Sequence, residues 1–499
     1  MTLLQNVCCA ILFFILLFFL PRIYHFVKAQ AHIWKLGARF PGPDGLPIIG
    51  NLLIFLQHPR AIRDRLMIEQ RKLMDRGQNV MRYWIFGRLT IVPLDGKGVK
   101  AIIDSQEEIT KGEDYNFLIP WLGTGLLTST GDKWRTRRKM LTPTFHFNML
   151  KGYVTTFDEQ ARILLDILDD HVGETVDMFP YLKRCALDII CESAMGLNLE
   201  AQRNPNQPYV DAVACYARLT MRYPFRPWLW FPPIWWAFGY KKMYDWSLKT
   251  LLDFTKGRNA AFQRGDWDYS ETRRKCFLDM LIEMNSKGEL TEEDIREEVD
   301  TFMFEGHDTT SSGMSWILWS LACHPEHQEK CYQELHEIFG DSDRECTTDD
   351  VKQMVYLERC VKEAMRIYPP VPVIQRMLQN DLQMGSLVAP KGSQVIISML
   401  AIHRNPLVYG ENPYKFNPDN FLPENMAARH PYDYIPFSAG LRNCIGQRFA
   451  MLEEKVVVSW ILRRFELSSR VPFDDNVPVP ESILRPTMGI PLQLKRRGT

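Results

Sequence analysis

Phe437-Ser438-Ala439-Gly440-Leu441-Arg442-Asn443-Cys444-Ile445-Gly446 decides how this chain is read. A cysteine sits among glycines, two residues after an arginine and just before Gln447–Arg464, whose apolar spacing predicts a helix. A sulfur so placed lies near backbone N–H groups and a helix N-terminus, and both favour the thiolate. An isolated cysteine is usually a small buried apolar residue. The surrounding glycines and arginine argue for a ligand loop instead.

Upstream, the spacing predicts one long helix over Thr291–Cys323, about 48 Å if continuous. Thr291 and Asp294 open it as a capping box, and Pro325 stops it. Inside it, Phe304-Glu305-Gly306-His307-Asp308-Thr309-Thr310 strings together residues that weaken a helix relative to alanine. Glu305 and Thr309 share a face, and Gly306 removes bulk beside them, leaving room for a flat cofactor and O2. A predicted helix over Asp349–Tyr368 carries Glu363 and Arg366 on one side, able to form an ion pair. Trp134 and Arg138 stand one turn apart on another helix.

Together these segments resemble the cytochromes P450. The cysteine loop matches F-x-x-G-x-R-x-C-x-G, and Glu363–Arg366 matches E-x-x-R. The resemblance implies haem b, with Cys444 as its axial thiolate and metal ligand. It also implies Phe437 packed on the loop and Trp134, Arg138, Arg376 and Arg442 at the propionates. Asp308 and Thr309 would be the acid–alcohol pair that delivers protons during oxygen activation. The family's third E-x-x-R partner is usually an arginine. Here the segment reads Pro418-Asp419-Asn420-Phe421, so His403 or Arg404 is expected to compensate.

The run from Phe302 to Thr310, F-M-F-E-G-H-D-T-T, is similar to the family-4 branch, which hydroxylates fatty acids and related lipids. In many of its members the glutamate corresponding to Glu305 is esterified to a haem methyl. The resemblance implies insertion of one oxygen atom of O2 into a C–H bond of a lipophilic substrate, at the terminal carbon of a fatty acid. Electrons would come from NADPH through NADPH–cytochrome P450 reductase, with or without cytochrome b5. Arg135, Arg137 and Lys139 are either solvated or dock an acidic reductase. An isomerase or dehydratase of the same fold, or a monooxygenase acting on another lipid or a xenobiotic, stays open. Leu118, Ile119, Leu126, Leu127, Val373, Ile374 and Met488 are the expected apolar lining.

Composition frames these motifs. The chain has 499 residues, 60 Lys plus Arg against 60 Asp plus Glu, and 46% apolar residues. That balance supports a large core and argues against a disordered chain or a nucleic-acid partner. Eleven cysteines, an odd number, do not form a disulfide framework and fit a reducing compartment. Helical spacing also marks Thr156–His171, Leu248–Gln263, Cys276–Ser286 and Pro325–Phe339, while Val80–Tyr83, Thr90–Leu94 and Gln394–Ser398 look like strands. The expected class is mainly α with minor β sheets, in one large catalytic domain.

Leu3–Leu20 is apolar apart from Gln5 and Asn6, and Arg22, Lys28, Lys35 and Arg39 follow it. Span length and charge asymmetry predict a single-pass endoplasmic reticulum anchor with a cytosolic catalytic domain. The expected division is a transmembrane signal anchor over 1–21, a basic, proline-rich hinge over 22–59 and a haem-thiolate monooxygenase domain over 60–499. Trp228, Trp230, Trp235 and Trp236, set among prolines, are expected at the bilayer surface or in the core.

Overall fold

The computed structural model describes residues 20–22, 24–57, 59–145, 147–223, 226–263 and 276–498. The longer helices include α1 (Gly131–Leu141), α2 (Phe147–Asp169), α3 (Met178–Met195), α4 (Pro208–Arg222), α5 (Tyr240–Gln263), α6 (Glu292–Ala322), α7 (Pro325–Phe339), α8 (Val355–Ile367) and α9 (Gln447–Arg464). Strands β1 (Val80–Ile85), β2 (Arg88–Pro93), β3 (Val373–Met377) and β4 (Gln394–Ser398) form a sheet in the order β1-β2-β4-β3. The β2–β4 pair is parallel and the other two are antiparallel. A smaller sheet joins Thr175–Asp177, Pro491–Arg496 and Phe465–Ser468. The chain is thus mainly helical with small sheets.

Helix α6 is buried along most of its length and runs through the middle of the fold. It starts as expected: the Thr291 hydroxyl accepts from the Asp294 N–H at 3.1 Å, and the Asp294 carboxylate accepts from the Thr291 N–H at 3.0 Å. Its many small hydroxyl residues are satisfied locally: Ser315 and Ser320 donate to the carbonyls of Ser311 and Trp316. A polar helix can therefore be buried without orphaned hydroxyls at these positions. Large rings fill the space around it, with Trp316 stacked on Tyr368 at 4.0 Å.

The predicted helix over Asp349–Tyr368 is interrupted. Met354, at φ −74° and ψ 69°, divides it into Thr348–Gln353 and α8. On α8, Arg366 meets Glu363 through two 2.7 Å hydrogen bonds and also donates to the carbonyls of His403 and Pro413. His403 and Arg404 do not compensate for the missing arginine. His403 Nε2 accepts from the Ile435 N–H, and the Arg404 guanidinium donates to the Ile367 carbonyl. Asn420 takes the place itself, its amide donating to Glu363 Oε1 at 3.1 Å. The nearby cation is Arg429, which donates to the Asn420 carbonyl and lies over Phe421.

The proline-rich stretch is docked on the sheet instead of standing free. The Pro41 carbonyl accepts from the Arg82 N–H, and Asn51 and Trp84 exchange two hydrogen bonds. Gly50, at φ +61°, lies so close that a Cβ would sit 2.0 Å from the Trp84 carbonyl oxygen. Residues 24–37 are helical, and Trp34 stacks on Trp84 at 4.3 Å. The expected anchor falls almost entirely on residues 1–19, which lie outside the described residues. Among the described residues no helix is long and apolar enough to cross a membrane.

Removing one partner of the buried Glu363–Arg366 pair strands the other. Glu363→Ala should cost about 3–5 kcal/mol, and Asn420→Ala, which loses one hydrogen bond to a charged group, about 1.5–3 kcal/mol. Denaturant midpoints of the two variants check both size and order.

Candidate active site

The cysteine loop is shaped by two backbone requirements. Gly440 has φ +65°, and a Cβ there would meet the Ile103 carbonyl oxygen at 2.2 Å. The Cys444 N–H donates to the Phe437 carbonyl at 2.9 Å, closing the loop just before α9 begins at Gln447. The sulfur faces a cavity of about 220 Å³. Cys444, Glu305, Thr309, Trp134, Arg138, Arg442 and Phe437 all line it.

Arginines frame the sulfur's surroundings. Arg138, one turn after Trp134 on α1, donates to the Asn443 carbonyl at 2.8 Å and to Asn443 Oδ1 at 2.7 Å. Arg442 donates to the carbonyls of Ile109, Leu126 and Ser129, and its guanidinium lies 4.3 Å from the Trp134 ring centre. On β3, Arg376 alternates with Gln375 and so shares a face with Ile374, which lines the cavity. Lys111, absent from the sequence expectations, completes the group. Burial, followed by Arg376, lowers Arg442 to about 9, and burial, Arg376 and Arg442 lower Lys111 as well. One carboxylate, Glu305, faces three of these cations, Lys111, Arg138 and Arg442, while Arg376 is not part of the cavity wall; burial raises the Glu305 carboxyl above the ordinary value although those three oppose the shift.

The Gly446 N–H and Arg138 do favour the thiolate, but burial and then the Glu305 charge push Cys444 up to about 12.

Helix α6 presents two different polar systems. On the cavity side, the Thr309 hydroxyl donates to the Glu305 carbonyl at 2.5 Å. Asp308 points elsewhere: its carboxylate meets Lys183 of α3 at 3.1 Å and Arg485 at 3.3 Å. Burial alone would raise Asp308, but Lys183 and Arg485 hold it well below the usual carboxylate range. Gly306 lines the cavity, yet its missing side chain serves helix packing: a Cβ would lie 2.6 Å from Ile190 Cδ1 on α3.

Other expectations are redistributed. Arg137 is buried, pairing with Asp294 at 2.5 Å, whereas Arg135 and Lys139 are exposed. Leu126, Leu127 and Ile374 line the cavity. Ile119 and Met488, at 40% and 51% exposure, do not. Leu118 and Val373 are also absent from the wall, which is completed by Phe145, Ile190, Phe302, Met365, Val371 and Met399. Lys183 had a signal: it falls in register with Ala186, Leu187 and Ile190 on an otherwise apolar helix face. Arg485 and Lys111 had none.

A profile of the family described as Cytochrome P450 matches residues 40–494. The chain is 40% identical over 492 residues to cytochrome P450 4c3 of Drosophila melanogaster, covering 94% of this chain and 91% of that one. It is 41% identical over 497 residues to cytochrome P450 4V2 of Mus musculus, covering 96% and 94%. Against cytochrome P450 4V2 of Homo sapiens it is 42% identical over 470 residues, covering 91% and 88%. The chain therefore belongs to the cytochrome P450 family, within its family-4 branch, and is a monooxygenase of the oxidoreductase class.

The family implies haem iron, and the residues present fit it. Three cations around one carboxylate leave positive charge that two propionates would balance, and Cys444 brings a sulfur donor to the same cavity.

The close approach of α6 and α3 gives a test. Gly306→Ala should lower stability by about 1–3 kcal/mol through overpacking, despite the better helix propensity of alanine. Ile190→Ala should cost less in the Gly306→Ala background than in the wild type, a non-additivity that denaturant titration of the single and double variants would measure.

Proposed function

We propose that this P450 hydroxylates medium- or long-chain fatty acids at or near the terminal methyl, with electrons from NADPH delivered by a reductase, with or without cytochrome b5. The observation that carries the reading is Glu305 on the cavity side of α6, set between the arginine group and an apolar wall containing Leu126, Leu127, Phe302 and Ile374. In this reading Cys444 holds the iron, Phe437 packs on its loop, and Trp134, Arg138, Arg376 and Arg442 hold the propionates. When haem is bound, Glu305 would be placed to form an ester with a haem methyl, the O2 and electrons of turnover supplying the two-electron oxidation that this bond requires, and the ester would remove a carboxylate that is costly to bury.

Haem, when bound, supplies the activation of O2 that lets one oxygen atom enter a C–H bond. The protein's part is orientation and proton supply. The Thr309 hydroxyl, which donates to the Glu305 carbonyl, would turn from it to hand a proton into the cavity. Asp308 is the proposed proton source, but Lys183 and the partly exposed Arg485 hold its carboxylate on the other side of α6, so it would serve Thr309 only after those ion pairs open. Terminal C–H bonds are stronger than internal ones, so terminal attack requires the wall to hold interior carbons away. Each 1.4 kcal/mol of barrier difference changes the product ratio about tenfold, so a modest steric bias is enough.

The membrane reading is kept: an endoplasmic reticulum anchor over residues 1–21 with a cytosolic catalytic body. Exposed aromatic residues support a bilayer-facing surface, with Trp236 at 76% and Phe238 at 69% exposure beside Trp228 and Phe231. Digestion of the catalytic body by protease added to intact microsomes would agree with that orientation, and complete protection would reverse it.

Reduced wild-type protein treated with CO should show the red-shifted Soret band of thiolate-ligated haem, and Cys444→Ser should lose it. Saturated fatty acids of graded length, incubated with enzyme and reductase, should give mostly terminal or near-terminal alcohols. Mid-chain alcohols, or no fatty-acid turnover, would count against the substrate. After turnover, acidified organic solvent should leave part of the haem on the wild-type chain and extract all of it from Glu305→Ala.

A further inference from the structure

The loop between α1 and the preceding short helix Ile119–Leu122 is held by both sides of its backbone. The Leu126 N–H donates to Glu298 Oε2 at 3.0 Å, while the Leu126 carbonyl accepts from Arg442 at 3.2 Å. Its side chain lines the cavity. One residue of the wall is thus clamped between a carboxylate of α6 and the arginine two positions before Cys444.

The neighbouring residues reinforce this arrangement. The Thr124 N–H donates to Glu297 Oε1 at 2.8 Å, and Lys133 pairs with Glu297 at 3.2 Å. Gly123, at φ +57°, lies so close that a Cβ would fall 2.1 Å from Glu297 Oε1, and one on Gly125 would fall 2.8 Å from the Glu297 carbonyl oxygen. The loop therefore lies flat on α6 because it has no side chains at these two positions. Arg137 faces Glu298 at 3.8 Å from α1, the helix that also carries Trp134 and Arg138.

Glu298 is an expensive choice for this position if packing alone mattered. It is buried, its Oε1 has no hydrogen-bond partner, and burial raises its carboxyl to about 7 against the pull of the Leu126 N–H and Arg137. Phe302, one turn further along α6, lines the same cavity, so Glu298 stands at the edge of the wall.

We propose that Glu298 is a positioning residue for chain-length selectivity: by fixing the Leu126 amide while Arg442 fixes the Leu126 carbonyl, it sets where the cavity wall meets an alkyl chain. The proposal rests on the reading of the cavity as a site for such chains. One methylene more or less in an apolar site is worth about 10–200-fold in discrimination. A small displacement of Leu126 is therefore enough to change which tail fits.

The test uses full-length, haem-loaded protein titrated by absorbance with n-alkylimidazoles of graded tail length, whose imidazole binds iron while the tail probes the wall. Wild-type affinity should peak at one tail length. Glu298→Ala and Leu126→Ala should both flatten that peak, whereas Glu298→Gln, whose amide oxygen still accepts from the Leu126 N–H, should keep it. Amide exchange at Leu126 should quicken about tenfold or more in Glu298→Ala and stay slow in Glu298→Gln. An unchanged length profile in Glu298→Ala, or a Glu298→Gln profile as flat as that of alanine, overturns the proposal. If Glu298→Ala fails to retain haem, Glu298→Asp withdraws the carboxylate by one methylene; its peak must shift, and an unshifted peak also overturns the idea. Fatty-acid turnover by the wild-type enzyme tests the substrate reading separately, because the imidazole panel does not depend on it.

Discussion

A guanidinium buried beside other cations is tolerated only when its N–H groups find acceptors, and Arg442 meets that condition with three backbone carbonyls. Ile109, Leu126 and Ser129 accept its hydrogen bonds, and the Trp134 ring covers its face. These contacts join the cysteine loop, the loop over α6 and helix α1 around one side chain. Arg138 adds a second tie from α1 by gripping Asn443, next to Cys444. The position of the sulfur is therefore set largely by arginine–carbonyl bonds that reach across hundreds of residues. The same arginines give the cavity its positive charge, so the framework that holds the loop also selects an anionic occupant.

Helix α6 separates the functions that share the site. Its cavity side carries Glu305 and Thr309, its opposite side holds Asp308 between Lys183 and Arg485, and its first half grips the loop through Glu297 and Glu298. Burying this many carboxylates is stable only because cations or backbone N–H groups meet most of them. Lys133 and Arg137 of α1 and Lys183 of α3 supply that compensation from neighbouring helices. Packing, charge and chemistry in this helix thus depend on the same neighbours.

Features governed by near neighbours in sequence were readable in advance. The Thr291–Asp294 cap, the ends of α6, the start of α9 and the Glu363–Arg366 pair each depend on residues three or four apart. Features governed by distant partners were not. Gly306 suggested open space, but the space is taken by Ile190 from another helix. Arg137 looked like part of a solvated basic face until Asp294 and Glu298 were found opposite it. Asn420 seemed to lack a cation, yet its own amide reaches Glu363. Helix α3 was missed because it is buried almost all round and leaves little amphipathic period to detect.

The central claim is that Arg442 holds the cysteine loop and balances an anionic cofactor, and Arg442→Gln tests it most directly. Haem content per chain should be measured alongside far-ultraviolet circular dichroism and the CO-bound spectrum of the reduced protein. The account predicts a chain with its helices intact that retains little haem and shows a diminished thiolate band. Full haem occupancy with an unaltered band would contradict it.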